Sequence, residues 1–247
     1  MKRLTDLNAL LLEARDRGYL GDQPIERQIE HSLGFSAVCR ALLRAGPETV
    51  DGSQLRPAHR ESQLLDLGAG GGIPGLVLAL VGAPLVERIV LLDGSLRRAE
   101  WLRHAVELLK LTSTVEVLGD RAEVAGRMPS WRHHFSVVVA RSFGRPAVAA
   151  ECAAPLLDLG GFLIVSEPPS VDDSAAGATI PDPKARRVAA TMGLQSRWPS
   201  HGVAELGFGV PAEWRAGGFR YAALCLTAPC PERYPRRTGI PAKRPLF

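Results

Sequence analysis

The first candidate for a ligand site in the sequence is a group of five glycines within eight positions, which begins two residues after a carboxylate. They lie in the stretch LLDLGAGGGIPG, residues 64–75. Glycine has no Cβ, so such a loop can turn tightly and bring its backbone close to a ligand. A plain turn needs one or two glycines rather than five. The loop therefore predicts a ligand site, with the candidate residues Asp66, Gly68, Gly70, Gly72, Ile73 and Gly75.

Two further acidic segments narrow the choice of ligand, because the glycine spacing alone fits either a dinucleotide or another adenosine-containing cofactor. Asp93, followed by Gly94 and Ser95 in LLDGS, can accept hydrogen bonds from both ribose hydroxyls of an adenosine group. Ala122 and Glu123 in GDRAE can supply a backbone amide and a carboxylate beside adenine. A nicotinamide enzyme would also need hydride-transfer residues, and the C-terminal part of the sequence offers no obvious set. S-adenosylmethionine is therefore the favoured ligand.

Both carboxylates also have a simpler interpretation. Asp93 could be a solvated side chain at the end of a strand. Glu123 could be one of the acids that are common at helix starts.

The spacing of apolar residues predicts the elements that position these side chains. From residue 63 onward, short apolar runs typical of strands alternate with helical segments. The predicted strands cover residues 64–67, 89–92, 115–118, 137–140 and 162–165, and the predicted helices cover residues 76–81, 96–109, 122–127 and 146–157. This alternation predicts an α/β fold with a doubly wound, mostly parallel, Rossmann-like sheet. In such a sheet ligands bind at the carboxyl ends of the strands, where the glycine loop, Asp93 and Glu123 fall.

Helical segments precede the predicted sheet. Apolar spacing predicts helices over residues 4–17 and 24–45, and the second presents Ile25, Ile29, Leu33, Val38 and Leu42. Residues 46–62 lose this periodicity and predict a loop. We therefore divide the chain into an N-terminal helical extension with its loop (residues 1–62), a cofactor-binding α/β domain (residues 63–227) and a tail (residues 228–247).

The tail is Pro-rich and basic, although the net charge of the whole chain, +4, is mild. It contains one acidic residue, Glu232, and five basic residues, Arg233, Arg236, Arg237, Lys243 and Arg244. One interpretation is a stiff arm that lies along a phosphate backbone, with Tyr234 stacked on a base. The other, compatible with it, is a tail wrapped over its own domain.

Several classes of protein are disfavoured by composition. No apolar run reaches the roughly 18 residues of a membrane helix, and no signal-peptide pattern is present, so we expect a cytoplasmic protein without membrane contact. The four cysteines, Cys39, Cys152, Cys225 and Cys230, form no Cys-x-x-Cys pair and predict neither a disulfide framework nor a zinc site. The pair His133-His134 has no third ligand nearby, which favours a solvated loop over a metal site.

Taken together, these motifs resemble the bacterial small-subunit (16S) rRNA guanine-N7 methyltransferases of the glucose-inhibited division B type. The resemblance covers most of the chain and rests on the segments DLGAGGGIPG, LLDGSLRRAEWLRH, GDRAE, VVVARSFGRPAVAAECAAPLLDLGG and YPRRTGIPAKRPL. It implies S-adenosylmethionine as methyl donor and rRNA or the small ribosomal subunit as partner, and we expect a monomer. The segment EHSLGF, residues 30–35, resembles a histidine-containing helix that precedes the first strand in that family.

The resemblance also implies roles for particular residues. Gly68, Ile73, the Asp93–Ser95 stretch, Ala122, Glu123 and Arg141 would surround the methyl donor. Arg220 matches an arginine before the last strand, and with Arg141 it would hold phosphates or the donor carboxylate. Either arginine could instead belong to a structural ion pair. No general base is expected, because guanine N7 carries a free lone pair and no proton, so methyl transfer needs alignment above all.

One departure from the family concerns the substrate. The family usually carries a lysine just past the fifth strand, where this chain has Glu167 in VSEPP. A carboxylate at the mouth of the site could repel a phosphate, so we expect Glu167→Lys to tighten RNA binding. The alternatives to rRNA methylation are a diverged methyltransferase acting on another RNA or a small molecule, and a protein that binds the cofactor or RNA without catalysis.

Overall fold

Two long helices followed by alternating strands and helices make up the part of the chain that the computed structural model describes, residues 2–45, 62–82, 86–169 and 193–247. The elements are α1 (Lys2–Asp16), α2 (Ile25–Ala45), β1 (Gln63–Leu67), α3 (Gly75–Leu80), β2 (Arg88–Leu92), α4 (Leu96–Leu108), β3 (Val115–Leu118), α5 (Ala122–Ala125), β4 (Phe135–Ala140), α6 (Pro146–Ala153), β5 (Leu157–Glu167), α7 (Ser200–Ala204), β6 (Ala212–Ala216), β7 (Phe219–Cys225) and α8 (Ile240–Lys243). None of the helices in these ranges is long and apolar enough to cross a membrane. The predicted loop over residues 46–62 falls almost entirely outside the described residues.

The seven strands form one sheet in the order β3-β2-β1-β4-β5-β7-β6. The first five strands are parallel, and β7 and β6 run antiparallel to their neighbours. The mostly parallel Rossmann-like sheet is therefore confirmed. Strand order reverses between β1 and β4, and a sheet of this kind binds ligands in the crevice at the carboxyl ends beside such a reversal.

Helices cover both faces of the sheet. Every residue of β1 and of β4 is buried, as expected for parallel strands packed on two sides. Side chains alternate between faces, so Leu64 joins the core under α1 to α4, while Leu65 joins the core under α5, α6 and α7. The continuous apolar runs in the sequence are thus a consequence of two-sided burial.

Helix α2 buries a more polar face than its apolar spacing predicts. Leu33, predicted to face the core, is 37% exposed, whereas Gln28 and Ser32 are fully buried. Buried polar side chains need hydrogen-bond partners. Their position on the inner face of α2 therefore indicates that this helix makes polar contacts as well as apolar ones.

The segment between α6 and β5 also differs from the prediction. The helix expected over residues 146–157 ends at Ala153, and β5 begins at Leu157 rather than near residue 162. A register shift separates the pairing of Phe135 with Leu157 from that of Val137 with Phe162. Gly160, with a positive φ of 83°, lies within this irregularity. A glycine in the left-handed conformation lets the strand continue through the bulge. The spacing of apolar residues does not predict such a bulge.

The tail packs against its own domain. Tyr234 is 3% exposed and donates its hydroxyl hydrogen to Glu205 Oε1 (2.5 Å), so the predicted stacking of Tyr234 on a base is wrong, while contact of the tail with phosphates stays a prediction. Arg236 binds the fully buried carboxylate of Glu151 through its backbone N–H (2.9 Å), Nε (2.8 Å) and Nη2 (2.6 Å). Gly239 N–H donates to Glu123 Oε1 (2.8 Å), which brings the tail to the carboxyl edge of the sheet.

Candidate functional site

The glycine loop leaves β1 at the carboxyl edge and is anchored to the end of β2. The backbone N–H groups of Gly68 and Ala69 both donate to Leu92 O (2.9 Å each). Gly68, Gly70 and Gly72 have φ values of 77°, 55° and 89°, a left-handed conformation that glycine adopts at little cost. Gly68 and Gly70 are half-buried, whereas Gly71 and Gly72 are buried, so the loop is most accessible from the crevice at Gly68 and Gly70.

Different glycines of the loop serve different purposes. A Cβ on Gly72 would lie 2.3 Å from Leu76 Cδ1, and a Cβ on Gly75 would lie 2.2 Å from Leu91 Cδ2, so these glycines permit close packing. A Cβ on Gly71 would lie 2.5 Å from Leu20, because the turn between α1 and α2 packs directly on the loop. At Gly70 the nearest atom is Tyr19 O at 3.5 Å. The space in front of Gly70 is thus open to a ligand.

Asp66 lies beneath the loop and not in the cavity above it. Asp66 is fully buried, and its Oδ2 accepts a hydrogen bond from Gly75 N–H (2.7 Å), while its Oδ1 has no hydrogen-bond partner among the described residues. Burial, together with the nearby charge of Asp93, raises the pKa of Asp66 to about 7, although the bond from Gly75 and the charge of Arg141 oppose this shift. Asp66 therefore organises the loop from below.

Asp93 ties the glycine loop to the start of α4. Its Oδ2 accepts from Gly70 N–H (2.8 Å) and its Oδ1 accepts from Ser95 N–H (2.8 Å). Arg98 Nη1 lies 4.0 Å from Oδ2. Each carboxylate oxygen can accept more than one hydrogen bond, so these contacts leave room for ribose hydroxyls.

A cavity of about 370 Å³ lies over the glycine loop, and we call it the donor cavity. Of the predicted cofactor residues, four line it: Gly68, Gly70, Ile73 and Arg141. The others, Asp66, Gly72, Gly75, Asp93, Gly94, Ser95, Ala122 and Glu123, are not among its lining residues. The opposite wall comes from the α1–α2 turn and α2, through Tyr19, Leu20, Gly21, Gln23 and Gln28. The sequence did not identify these five residues as part of the site, because the two helices were assigned to a separate N-terminal extension.

Gln28 joins this wall to the sheet. Its Nε2 donates to Gly21 O (3.1 Å) and Gln23 O (2.8 Å), and its Oε1 accepts from Arg141 Nη1 (3.2 Å). Burial lowers the pKa of Arg141, while the charges of Asp66 and Tyr221 oppose this shift. A glutamine on the buried face of an amphipathic helix is the signal that could have revealed this contact.

A second and larger cavity of about 710 Å³ adjoins the donor cavity, and we call it the acceptor cleft. The two share Gln23, Arg141 and Ser142 as lining residues. Phe143 lines the acceptor cleft, and its ring lies against Gly68, where a Cβ would approach it to 2.5 Å. A group bound over the loop therefore lies next to a group bound in the cleft.

The expected charge of Glu167 at the mouth of the site is compensated by its neighbours. Glu167 lines the acceptor cleft, but its side chain is only 2% exposed. Oε2 accepts from Arg197 Nε (2.5 Å), and Oε1 accepts from Trp198 Nε1 (2.8 Å). The premise that this carboxylate repels phosphate is thus wrong. Lysine would leave Trp198 without an acceptor and face Arg197, so we expect Glu167→Lys to destabilise the fold rather than tighten RNA binding.

Arg220 lies within β7, not before it as expected, and also lines the acceptor cleft. Its Nε and Nη2 donate to Glu213 (3.1 and 2.9 Å), and its Nη1 donates to Pro168 O (3.2 Å). The structure thus shows the ion pair that was one alternative for this residue. Its contact with phosphate stays a prediction.

The cysteines and His133 are not among the residues that line the two cavities. All four cysteines are free thiols, and burial raises the pKa of Cys39 to about 12 and that of Cys225 and Cys230 to about 11. His133 lies in a turn with Nδ1 3.2 Å from Leu157 O. Within the described ranges, no three His, Cys, Asp or Glu side chains are grouped as metal ligands would be.

The sheet order and the loop at its switch point define a class I, Rossmann-like methyltransferase fold. An O-methyltransferase from Bacillus cereus in complex with SAH superimposes with a TM-score of 0.53 at 15% identity, over 90% of each chain. The cofactor-bound protein Rv0187 from MTB superimposes with a TM-score of 0.51 at 17% identity, over 89% of this chain and 88% of that one. At these identities the likeness shows the fold alone.

Sequence relatives identify the family. A model of the GidB family, rRNA small subunit methyltransferase G, matches residues 48–171. The ribosomal RNA small subunit methyltransferase G of Roseiflexus castenholzii is 33% identical over 90% of this chain and 93% of its own length, and that of Prochlorococcus marinus is 34% identical over 92% of each. The chain belongs to the rRNA small subunit methyltransferase G family and is an S-adenosylmethionine-dependent methyltransferase.

The residues present fit S-adenosylmethionine. The open space in front of Gly70 would be filled by a Cβ, and the buried Asp93 reaches the same loop. Gly70 and Ile73 of the glycine loop, with Arg141 after β4, line the cavity in which the donor would lie. When bound, this cofactor supplies an electrophilic methyl group on a sulfonium centre.

Proposed function

We propose that this chain methylates guanine N7 in 16S rRNA. The observation that carries the proposal is the wall shared by the donor cavity and the acceptor cleft, formed by Gln23, Arg141 and Ser142. A methyltransferase must hold donor and acceptor in contact, and two adjoining cavities do this without a rearrangement of the fold. The names of the family relatives supply the class of acceptor.

The chemistry asks for alignment rather than proton transfer. Guanine N7 has an in-plane lone pair and no proton, so the chain needs no general base. Its task is to hold the base in plane with the donor and to keep cationic groups from opposing the positive charge that develops on guanine. Arg141 Nη1 donates to Gln28 Oε1, which holds this guanidinium towards α2.

We further propose that one chain is sufficient and that it acts in the cytoplasm, where small ribosomal subunits are found. Residues of a single chain line both cavities, from α2 on one side to β7 on the other. Glu167, the residue that favoured a different acceptor, is paired with Arg197. The sequence argument for a diverged substrate is therefore weakened.

A direct test is methyl transfer to rRNA in vitro. Small subunits and naked 16S rRNA from cells lacking this gene would be incubated with the protein and S-adenosylmethionine carrying a deuterated methyl group. We expect labelled 7-methylguanosine in nuclease digests analysed by mass spectrometry. Label in another nucleoside would show a different RNA reaction, and no label in either RNA would contradict the proposal.

The matched variant for this test is Gly70→Ala. Its Cβ enters the open space of the donor cavity, and the left-handed φ adds about 1 kcal/mol of strain. We expect calorimetry to show a loss of S-adenosylmethionine affinity of at least tenfold. The control is Gly239→Ala, which carries the same strain at a φ of 80° with nothing within 4 Å, outside the donor cavity. Equal donor affinity in the two variants would place the donor elsewhere.

A further inference from the structure

His31 lines the acceptor cleft one helical turn beyond Gln28 on α2. Residues three apart on a helix share a face, so the two side chains follow one another along the two cavities. Gln28 reaches the donor cavity and Arg141, and His31 reaches the cleft. His31 therefore lies on the cleft side of the shared wall.

Aromatic packing fixes the orientation of the His31 ring. The ring is stacked on Tyr221 with centroids 5.5 Å apart, and it makes edge contacts with Phe219 at 4.7 Å and Phe35 at 5.5 Å. The Tyr221 hydroxyl donates to the His31 backbone carbonyl (2.7 Å), which ties the stack to α2. A ring held on three sides can serve as a rigid contact for a ligand.

The hydrogen-bonding state of the ring follows from its surroundings. Nδ1 is buried and has no partner among the described residues, so a proton on Nδ1 would be unpaired. A neutral imidazole carries its proton on one nitrogen only, which favours the tautomer protonated on Nε2. Burial, with the charges of Arg141 and Arg27 next in importance, lowers the pKa of His31 to about 4. A neutral ring does not repel a base that gains positive charge.

We propose that His31 recognises the acceptor base by donating a hydrogen bond from Nε2 to O6 of guanine. The inference rests on the proposed function, since it takes guanine as the acceptor. N7 must face the donor cavity, and O6 is next to N7 on the same edge of the base. Adenine presents an amino donor at this position, so a fixed donor on the protein favours guanine over adenine.

Nucleotide binding to the protein saturated with S-adenosylhomocysteine tests this assignment. The probes are GMP, AMP and the 5′-monophosphate of 2-aminopurine riboside, which keeps N7 and the 2-amino group but lacks O6. We expect the parent protein to bind GMP about three- to tenfold more tightly than the analogue without O6, the usual contribution of one hydrogen bond. In His31→Phe, which keeps an aromatic ring but has no donor, GMP and the analogue should bind equally.

Two further variants separate recognition from packing. Phe143→Leu removes an aromatic face of the cleft that is not one of the three rings packed on His31, and it should weaken all three nucleotides by the same factor. His31→Gln restores a side-chain donor and should recover part of the preference for GMP. Melting temperatures of all variants identify any that fail to fold.

The outcomes distinguish this inference from the proposed function. A preference for GMP that survives in His31→Phe, or a parent protein without any preference, overturns the role of His31 even if rRNA is methylated. A preference that depends on His31 supports the role even if rRNA proves not to be the acceptor. An Nε2 resonance of His31 that stays unshifted when GMP is added would also overturn it.

Discussion

At the scale of single residues, the site depends on where charge is buried. Asp66 is the most informative case, because it is fully enclosed beneath the glycine loop and its pKa is raised to about 7. The folded protein then binds a proton at Asp66 more tightly than the unfolded chain does. This group's contribution to stability is complete below its ordinary pKa near 3.8 and is lost as the pH rises through about 7.

Asp66→Asn tests this directly. Asparagine keeps an oxygen for Gly75 N–H and cannot ionise, so it imitates the protonated acid. Between about pH 5 and pH 8 we expect the stability of the parent protein to fall relative to the variant by about 1–3 kcal/mol. Urea unfolding of both proteins across this range measures the difference, and other titrating groups cancel. Parallel stability curves would show that Asp66 is ionised throughout.

At the scale of elements, the ion pairs that hold the C-terminal tail differ in burial. Arg236 binds Glu151, which is fully buried, while Arg233 binds Glu205 at the surface (3.2 Å). Removing one partner of a buried pair leaves an uncompensated charge, whereas exposed pairs contribute little. Of these two pairs, that of Arg236 is the one expected to contribute more to holding the tail on the domain.

We expect Arg236→Leu to lower the free energy of unfolding by about 3–5 kcal/mol, because Glu151 loses its countercharge. Arg233→Leu is the matched control and should leave the free energy of unfolding nearly unchanged, because exposed ion pairs contribute little. The double variant Arg236→Leu with Glu151→Leu should recover much of the loss. Chemical denaturation measures all three, and similar effects of Arg236→Leu and Arg233→Leu would show that the tail is not anchored at Glu151.

At the scale of the whole molecule, the two edges of the sheet differ in their charges. Exposed arginines lie at the carboxyl edge, with Arg121 before α5, Arg145 before α6 and Arg27 at the acceptor cleft. At the amino edge Arg88 is paired with Glu116 (2.5 Å). Of the basic residues in the tail, Arg233 and Arg236 are engaged with acids, and Arg237, Lys243 and Arg244 are exposed. The carboxyl edge is therefore the face on which we expect rRNA phosphates to lie.

Salt dependence tests this orientation of the RNA. Each lost phosphate contact should reduce the slope of log affinity against log salt by about 0.7–0.9. The double variant Arg121→Gln with Arg145→Gln should therefore flatten the slope for 16S rRNA, while Arg88→Gln should leave it unchanged. Filter binding at several salt concentrations gives the slopes. If the double variant and Arg88→Gln changed the slope equally, the carboxyl edge would not be the preferred face for RNA.

Much of the fold was predictable because secondary structure follows local spacing. The five parallel strands were located by their apolar runs, since burial on both faces requires such runs wherever the strand falls. The glycine loop and the carboxylates after β1 and β2 were found because glycine content and strand ends are visible in the sequence. Their positions at one edge of the sheet followed from parallel topology alone.

The sequence by itself thus determined the α/β sheet, the loop at its switch point and the chemical types gathered there. Only the tertiary structure decided which glycine faces open space, that Gln28 of α2 contacts Arg141, and that Trp198 and Arg197 enclose Glu167. The reason is that a residue's partners in space are set by packing between distant segments. Local spacing reports which face a side chain takes, but not which charge or donor meets it there.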